Sequence, residues 1–186
     1  MGFNVIDSGM NSAMPDVSDI VIDSPDCHLH RAVGQLEMKD ITLAGGAGAK
    51  VYDCFTVVGS VEIKALYAVF HSVADTTTCS LCSFQWHDGT NPHDLTDDVD
   101  ARSAAVGSEL AKTAVAGTAL TFINASTGGI NEVAANKQYQ GTLLVAKAAA
   151  TNKIQFLCTQ DAATSAVLHV YRAWVCRDVG SSVTPV

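Results

Sequence analysis

Two cysteines three positions apart, Cys79 and Cys82, form the chain's only C-x-x-C pair. Thiolates at this spacing hold zinc in many proteins. The remaining ligands of such a site would have to come from Cys27, His28, His30, His87 and His93. In a β-strand, side chains three positions apart point to opposite faces of the sheet. Because the flanking residues favour a strand, we expect buried thiols at this pair and no metal site.

A second group of candidate ligands is an acidic segment with four aspartates, Asp94, Asp97, Asp98 and Asp100. Carboxylate oxygens are the ligands that a hard cation such as Ca²⁺ prefers. The spacing does not follow the EF-hand pattern, and an isolated acidic loop is typically solvated. The sequence leaves open whether this segment binds a cation.

The glycine-rich segment Gly45–Val51 has a superficial likeness to a phosphate-binding loop. That motif requires glycine before its lysine and serine or threonine after it. Here Ala49 precedes Lys50 and Val51 follows it. We therefore expect a loop that leads into a strand, without a phosphate site.

Residues for nucleophilic catalysis are not arranged in any familiar motif. The G-x-S-x-G pattern is absent from the chain, and its four glutamates suggest no glycosidase pair. The pairs His87-Asp88 and His93-Asp94 could supply general bases, but a histidine beside an aspartate in a turn typically caps a loop. We predict a protein that is not an enzyme and uses no cofactor.

The two tryptophans, Trp86 and Trp174, lie within apolar segments. We expect both in the core or in an interface, since a buried indole contributes a large apolar area. The alternative is a surface on which carbohydrate stacks, formed by Trp86 and the turn-rich segment His87–Asp98.

These residues are positioned by short β-branched and aromatic segments that turn residues separate. The predicted strands are Val51–Val58, Val61–Val73, Cys79–Trp86, Thr118–Asn124, Gly141–Ala146, Lys153–Thr159 and Val167–Cys176. This pattern predicts an all-β fold, an antiparallel β-sandwich or jelly-roll-like domain with an extended N-terminal arm. The one segment with helical character is Gly107–Ala116, with Ser108 as its candidate N-cap.

Within Val61–Val73 the residues alternate in a way that assigns them to two faces of a strand. One face would carry Val61, Ile63, Ala65, Tyr67, Val69 and His71. The opposite face would carry Glu62, Lys64, Leu66, Ala68, Phe70 and Ser72.

The N-terminal segment differs in composition from the rest of the chain. Its first 30 residues contain five aspartates and neither lysine nor arginine. We interpret residues 1–35 as an extended arm and residues 36–186 as the β-sandwich domain. Val17–Asp23 could form an edge strand within the arm. The apolar residues expected to anchor the arm are Phe3, Val5, Ile6, Ile20 and Ile22.

Overall charge excludes some classes of partner. The chain has 11 lysines and arginines against 19 acids, a formal net charge of −8, which disfavours nucleic acid. No apolar run approaches the roughly 20 residues of a membrane helix. The N-terminus lacks the basic and apolar regions of a signal peptide. We therefore expect synthesis in the cytoplasm, with the six cysteines as reduced thiols.

Two segments together resemble a known class of protein. Phe55–Phe70 reads as a strand, a glycine turn and a second strand, and Val170–Val183 reads as a strand that ends in a small-residue tail. This pairing resembles small β-rich virion proteins of tailed bacteriophages, in which such a hairpin and such a tail bracket the domain. The resemblance covers residues 50–186 and carries no catalytic motif.

The resemblance implies a non-enzymatic virion structural protein at the capsid surface, made in the host cytoplasm. The expected role is a capsid decoration or cement protein that binds and stabilises the lattice of the major capsid protein. We expect a homo-oligomer, with a trimer favoured over a dimer, and no nucleic-acid or membrane partner. The alternatives are a tail or portal-vertex adaptor, a fibre-base protein, and a glycan- or receptor-binding β-sandwich module.

Overall fold

The computed structural model describes residues 37–43, 46–74, 79–112, 120–123, 142–146, 150–160 and 166–186. These residues form eleven strands and, within those ranges, no helix. The strands are β1 (Glu37–Leu43), β2 (Gly48–Val58), β3 (Ser60–Phe70), β4 (Cys82–His87), β5 (Pro92–Asp94), β6 (Glu109–Lys112), β7 (Leu120–Ile123), β8 (Thr142–Val145), β9 (Asn152–Gln160), β10 (Ala166–Cys176) and β11 (Ser182–Pro185). No helix in the described ranges is long and apolar enough to span a membrane.

The strands form two antiparallel sheets. The six-stranded sheet has the order β1-β10-β3-β6-β7, and β8 pairs with the first residues of β3 on the same side as β6. The five-stranded sheet has the order β11-β2-β9-β4-β5. The predicted all-β fold with antiparallel sheets is therefore confirmed.

One cluster of buried apolar side chains, contributed by both sheets, forms the core. Strand β10 alternates regularly between buried and half-buried residues along its length, the pattern of a strand with one face on a core. Phe55, Phe84 and Phe156 of the five-stranded sheet are fully buried, and burying one such side chain stabilises the fold by about 1.5–3 kcal/mol. Trp86 and Trp174 belong to the same cluster, so their expected core position is confirmed.

Gly59 connects two different sheets. The resemblance drawn from Phe55–Phe70 implied a hairpin of two strands around a glycine turn, but β2 pairs with β9 and β11, whereas β3 pairs with β10, β6 and β8. Gly59 has φ +68°, and a Cβ there would lie 2.7 Å from Asp178 Oδ1 and 3.0 Å from Ser181 Cα. The hairpin prediction is wrong because a glycine in a left-handed conformation lets the chain cross between the sheets.

A β-bulge at Lys64 changes which residues of β3 face the core. Ala65 pairs with Ala173 and Ile63 pairs with Trp174, so that no residue of β10 is the register partner of Lys64. An extra residue of this kind shifts the alternation by one position. Val61 and Ile63 point inward before the bulge, whereas the inward residues after it are Leu66, Ala68 and Phe70. The predicted single alternation over Val61–Val73 is therefore wrong beyond the bulge.

The described part of the segment predicted to be helical, residues 107–112, contains no helix and includes a strand. Glu109–Lys112 is β6, which pairs with Tyr67–Val69 of β3 on one side and with β7 on the other. Ser108 is fully buried before the strand. Residues of good helix propensity adopt the strand because backbone pairing on both sides and burial of Leu110 outweigh a preference of a few tenths of a kcal/mol per residue.

The expected N-terminal arm lies outside the described residues. This applies to residues 1–35, to the possible edge strand Val17–Asp23, and to the anchors Phe3, Val5, Ile6, Ile20 and Ile22. These expectations remain predictions.

Candidate functional site

The outer face of the six-stranded sheet carries four rings near the end of the β3–β10 pair at which β3 stops. After the bulge, Tyr67 of β3 turns outward, and His71 follows the strand at its end. On β10 the alternation turns His169 and Tyr171 to the same side. We call Tyr67, His71, His169 and Tyr171 the ring patch.

The four rings contact one another across the two strands. Tyr67 and Tyr171 are register partners, and their ring centroids lie 4.9 Å apart with planes 16° from parallel. The rings of His71 and His169 stack in the same way at 4.4 Å. An edge contact of 6.4 Å between His169 and Tyr171 joins the two pairs. Such pairs each add about 0.5–1.5 kcal/mol beyond area burial, so the patch is a preformed surface.

One polar contact lies at the margin of the ring patch, between His169 and Asp40. His169 Nε2 lies 3.3 Å from Asp40 Oδ1 on the neighbouring strand β1. Partial burial raises the pKa of Tyr67, with smaller contributions from Tyr171 and Glu109. The phenol of Tyr67 therefore stays protonated at neutral pH and can donate a hydrogen bond. The patch offers aromatic ring faces, hydroxyls and imidazoles, which can contact a partner by packing and hydrogen bonding.

A second cluster lies at the start of β4, where three sulfurs converge. Cys82 and Cys158 are directly opposite each other in the β4–β9 pair, and their sulfurs lie 3.8 Å apart. The sulfurs of Cys79 and Cys158 lie 3.4 Å apart. All three ligand atoms fall within 4.8 Å of one another, and all three residues are buried. We call these residues the thiol cluster.

The turn before β4 brings the two cysteines of the C-x-x-C pair together. The strand begins at Cys82, and Cys79 has φ +70°, in the left-handed region. The amides of Cys79 and Ser80 both donate to the carbonyl of Thr159, and the amide of Thr159 donates to the carbonyl of Leu81. The prediction of a strand beginning at residue 79 is therefore wrong, and so is the argument that the two thiols must point apart. The role of Cys158, 76 positions from Cys82, was missed because only strand pairing places it there.

Protonation differs among the three thiols. Hydrogen bonding with Cys79, and then with Cys82, lowers the pKa of Cys158. The pKa of Cys82 is raised, first by its hydrogen bond to Cys158, then by that to Cys79 and by burial. Burial raises the pKa of Cys54, which lies elsewhere in the core, to about 12.

The expected reduced state of the cysteines holds for part of the chain. Cys54, Cys79, Cys82 and Cys158 are free thiols. Cys176 is disulfide-bonded, so the expectation is wrong for this residue.

The carboxylates of the acidic segment do not lie close enough together to form a candidate metal site. Among the described residues, the thiol cluster is the one group of three or more ligand-type side chains close enough to hold a metal ion. Asp100 instead pairs with Arg102 and accepts a hydrogen bond from its backbone amide. The side chains of Asp94, Asp97 and Asp98 are exposed.

Three residues of the His-Asp pairs, His87, Asp88 and His93, form hydrogen bonds within one turn, as expected. Asp88 Oδ1 accepts hydrogen bonds from the amides of Thr90 and Asn91 at 2.8 and 2.7 Å, and Asp88 Oδ2 lies 3.1 Å from His93 Nε2. His87 Nδ1 accepts from the amide of Gly89 at 3.1 Å. These contacts close the turn between β4 and β5. Because Trp86 is only 6% exposed, it has almost no ring surface to offer to a sugar.

The glycine-rich segment has the expected context. Gly46 and Ala47 lead directly into β2, which contains Lys50. The lysine therefore follows a loop and lies in a strand, where a phosphate-binding loop would open a helix.

Comparison with protein-family models, with curated proteins and with solved structures finds no match to this chain.

Proposed function

We propose that the chain is a non-enzymatic virion structural protein of a tailed bacteriophage, a capsid decoration or cement protein that binds the major capsid protein. The ring patch on the outer face of the six-stranded sheet is the proposed contact surface. The sequence resemblance of Phe55–Phe70 and Val170–Val183 supports the class of protein. The ring patch is the observation that carries the contact role.

Three properties of the ring patch suit a contact surface. Tyrosine is enriched in protein interfaces and often dominates their binding energy. The stacked pairs are already ordered, so that binding does not have to pay for immobilising them. The small side chains Ala65 and Ala173 flank the rings and are themselves half-buried, which permits close approach of a partner's surface.

Composition adds support. Charged residues make up 16% of the chain, against roughly 25% in a typical soluble domain. Residues 1–100 carry a net charge of −11 and residues 101–186 a net charge of +3. Such unequal halves can orient neighbouring copies on a lattice through complementary potentials.

A binding experiment with capsids tests this proposal. Shells assembled from the phage's major capsid protein alone are incubated with the purified chain, and bound protein is measured after sedimentation. The double variant Tyr67→Ser/Tyr171→Ser should lose most of the binding. The control Val51→Ser/Val58→Ser, which changes two exposed residues of the five-stranded sheet, should bind as the unmodified chain does.

Circular dichroism and thermal unfolding verify that both double variants are folded. Binding that persists in the folded tyrosine variant would contradict the contact role of the ring patch. No binding by the unmodified chain would contradict the decoration role and favour the alternative of a tail or portal-vertex protein.

A further inference from the structure

The sulfur positions of the thiol cluster match the donor spacing of a metal–thiolate site. Zinc–sulfur bonds are about 2.3 Å long, so two thiolates of one tetrahedral zinc lie about 3.8 Å apart. The sulfur of Cys158 lies 3.8 Å from that of Cys82 and 3.4 Å from that of Cys79. The third separation is within 4.8 Å. Coordination would require sulfur movements of an ångström or less.

The side chain of Gln160, which contacts Cys158, carries a candidate fourth donor. Gln160 and Cys158 are two positions apart on β9, so both point into the core. Gln160 is 4% exposed, and its Nε2 donates to the hydroxyl of Tyr52 at 2.6 Å. Its side chain also hydrogen-bonds to the sulfur of Cys158. Among the described residues, its Oε1 is buried and has no hydrogen-bond partner, and an unsatisfied buried oxygen of this kind costs about 1–3 kcal/mol.

We propose that Cys79, Cys82 and Cys158 form a binding site for a thiophilic d¹⁰ cation, with Zn²⁺ as its occupant and Gln160 Oε1 as the fourth donor. Thiolate ligands select such soft or borderline cations over Ca²⁺ and Mg²⁺. This site is independent of the proposed capsid role.

Binding replaces protons with the cation. The S–H bonds of Cys79, Cys82 and Cys158 break, their three protons leave to water, and three sulfur–metal bonds form. Since coordination releases protons, the affinity for zinc must fall as the pH is lowered.

The site would fasten the turn at residues 79–82 to β9. Backbone hydrogen bonds around Thr159 already join these two parts of the chain. A cation that binds the folded chain alone raises its stability by mass action. The expected consequence is a melting temperature that rises with zinc and returns to its initial value on chelation.

Cobalt substitution tests the proposal on the full chain, reduced beforehand. Titration with Co²⁺ should give sulfur-to-cobalt charge-transfer absorption and the intense d–d bands of a tetrahedral site, saturating at a single equivalent, and Zn²⁺ should displace both. The variants Cys79→Ser, Cys82→Ser and Cys158→Ser should each weaken cobalt binding at least tenfold. The control Cys54→Ser alters another fully buried free thiol and should leave the titration unchanged.

A second measurement does not depend on the folding of any variant. X-ray absorption of the zinc-loaded, unmodified chain should show three sulfur neighbours and one lighter neighbour. Gln160→Ala should change the lighter neighbour or the d–d bands while the charge-transfer absorption persists.

Three results would overturn the proposal. One is a reduced chain that gives no charge-transfer absorption with cobalt. Another is a zinc spectrum with fewer than three sulfurs. The third is loss of binding in the folded Cys54→Ser control that equals the loss in the cluster variants. A disulfide between Cys79 and Cys158, combined with no metal binding after its reduction, would replace the metal site with a redox pair.

Discussion

The guanidinium of Arg172 lies 4.2 Å from the centroid of the Phe55 ring, in the core between the two sheets. Arg172 is 1% exposed, and its Nη2 donates to the carbonyl of Val183 on β11. Burial lowers its pKa to about 10, so that the side chain remains charged at neutral pH. One buried cation thus joins β10 of the six-stranded sheet to β2 and β11 of the five-stranded sheet.

Replacing Arg172 should destabilise the fold. Arg172→Met keeps much of the apolar volume but leaves the Val183 carbonyl without this donor, and we expect a loss of about 1–3 kcal/mol in the free energy of unfolding. Arg172→Ala also opens a cavity, so that its loss should be larger, about 2–5 kcal/mol. Urea unfolding measures both, with the exposed Arg102→Met as control. A methionine variant as stable as the unmodified chain would show that the contacts with Phe55 and Val183 add no net stability.

Gly59 should tolerate alanine less well than Gly180 does. Both have positive φ, +68° and +78°, so that alanine introduces about 1–2 kcal/mol of backbone strain at either position. Only at Gly59 would the new Cβ also collide with Asp178 and Ser181. Thermal unfolding of Gly59→Ala and Gly180→Ala should therefore show a lower midpoint for the former. Equal midpoints would mean that the crossover between the sheets can relax around a side chain.

Deletion of Lys64 should be tolerated, although it shortens a central strand. Without this residue, Val61, Ile63, Leu66, Ala68 and Phe70 alternate regularly toward the core, and the pairing with β10 continues without a bulge. A matched deletion of Ala68 would instead turn the residues that follow it to the wrong face. The Lys64 deletion should unfold cooperatively in urea, and the Ala68 deletion should not. Cooperative unfolding of the Ala68 deletion, together with its loss in the Lys64 deletion, would contradict the position of the bulge.

Stability should fall at acidic pH through Asp88. Hydrogen bonds from the amide of Asn91, from His93 and from the amide of Thr90 hold the pKa of this carboxyl well below its usual range. The folded state therefore binds a proton less readily than the unfolded state, whose aspartates titrate near pH ~3.9. The contribution of Asp88 is fully present above that pH and is lost as the pH falls below it.

The variant Asp88→Ala isolates this effect. Urea midpoints of the variant and of the unmodified chain should differ most near neutral pH and converge as the solution is acidified toward pH ~2. Asp94→Ala, an exposed neighbour in β5, serves as control. A difference between the Asp88 variant and the unmodified chain that stays constant with pH would contradict the role of the Asp88 carboxylate.

Local patterns predicted the fold class and the positions of most central strands, because alternation and turn residues act over a few positions. Strand pairing was less predictable: β2 and β3 follow each other across a single glycine and yet lie in different sheets. The tail residues Ser182–Pro185 form β11 because β2 offers them an open edge. Within Gly107–Ala116, the helical prediction failed at Glu109–Lys112 for the same reason, since two neighbouring strands decide the backbone there.

The candidate sites show the same limit. Tyr67 and His71 were assigned to one face of a strand, but their partners on β10 follow from a register that no local pattern reveals. The thiol cluster depends on the left-handed conformation of Cys79 and on the pairing of Cys82 with Cys158. A positive φ at a cysteine is rare, which is why the spacing of the C-x-x-C pair suggested diverging side chains.

The most direct test of the proposed function is the copy number of the chain in purified particles of the phage that is proposed to encode it. Quantitative mass spectrometry against the major capsid protein gives this ratio. A decoration protein that contacts the lattice through the ring patch should be present in numbers comparable to the capsid subunits. A ratio lower by one or two orders of magnitude would place the chain at a tail or portal vertex. Absence from the particle would contradict the virion role altogether.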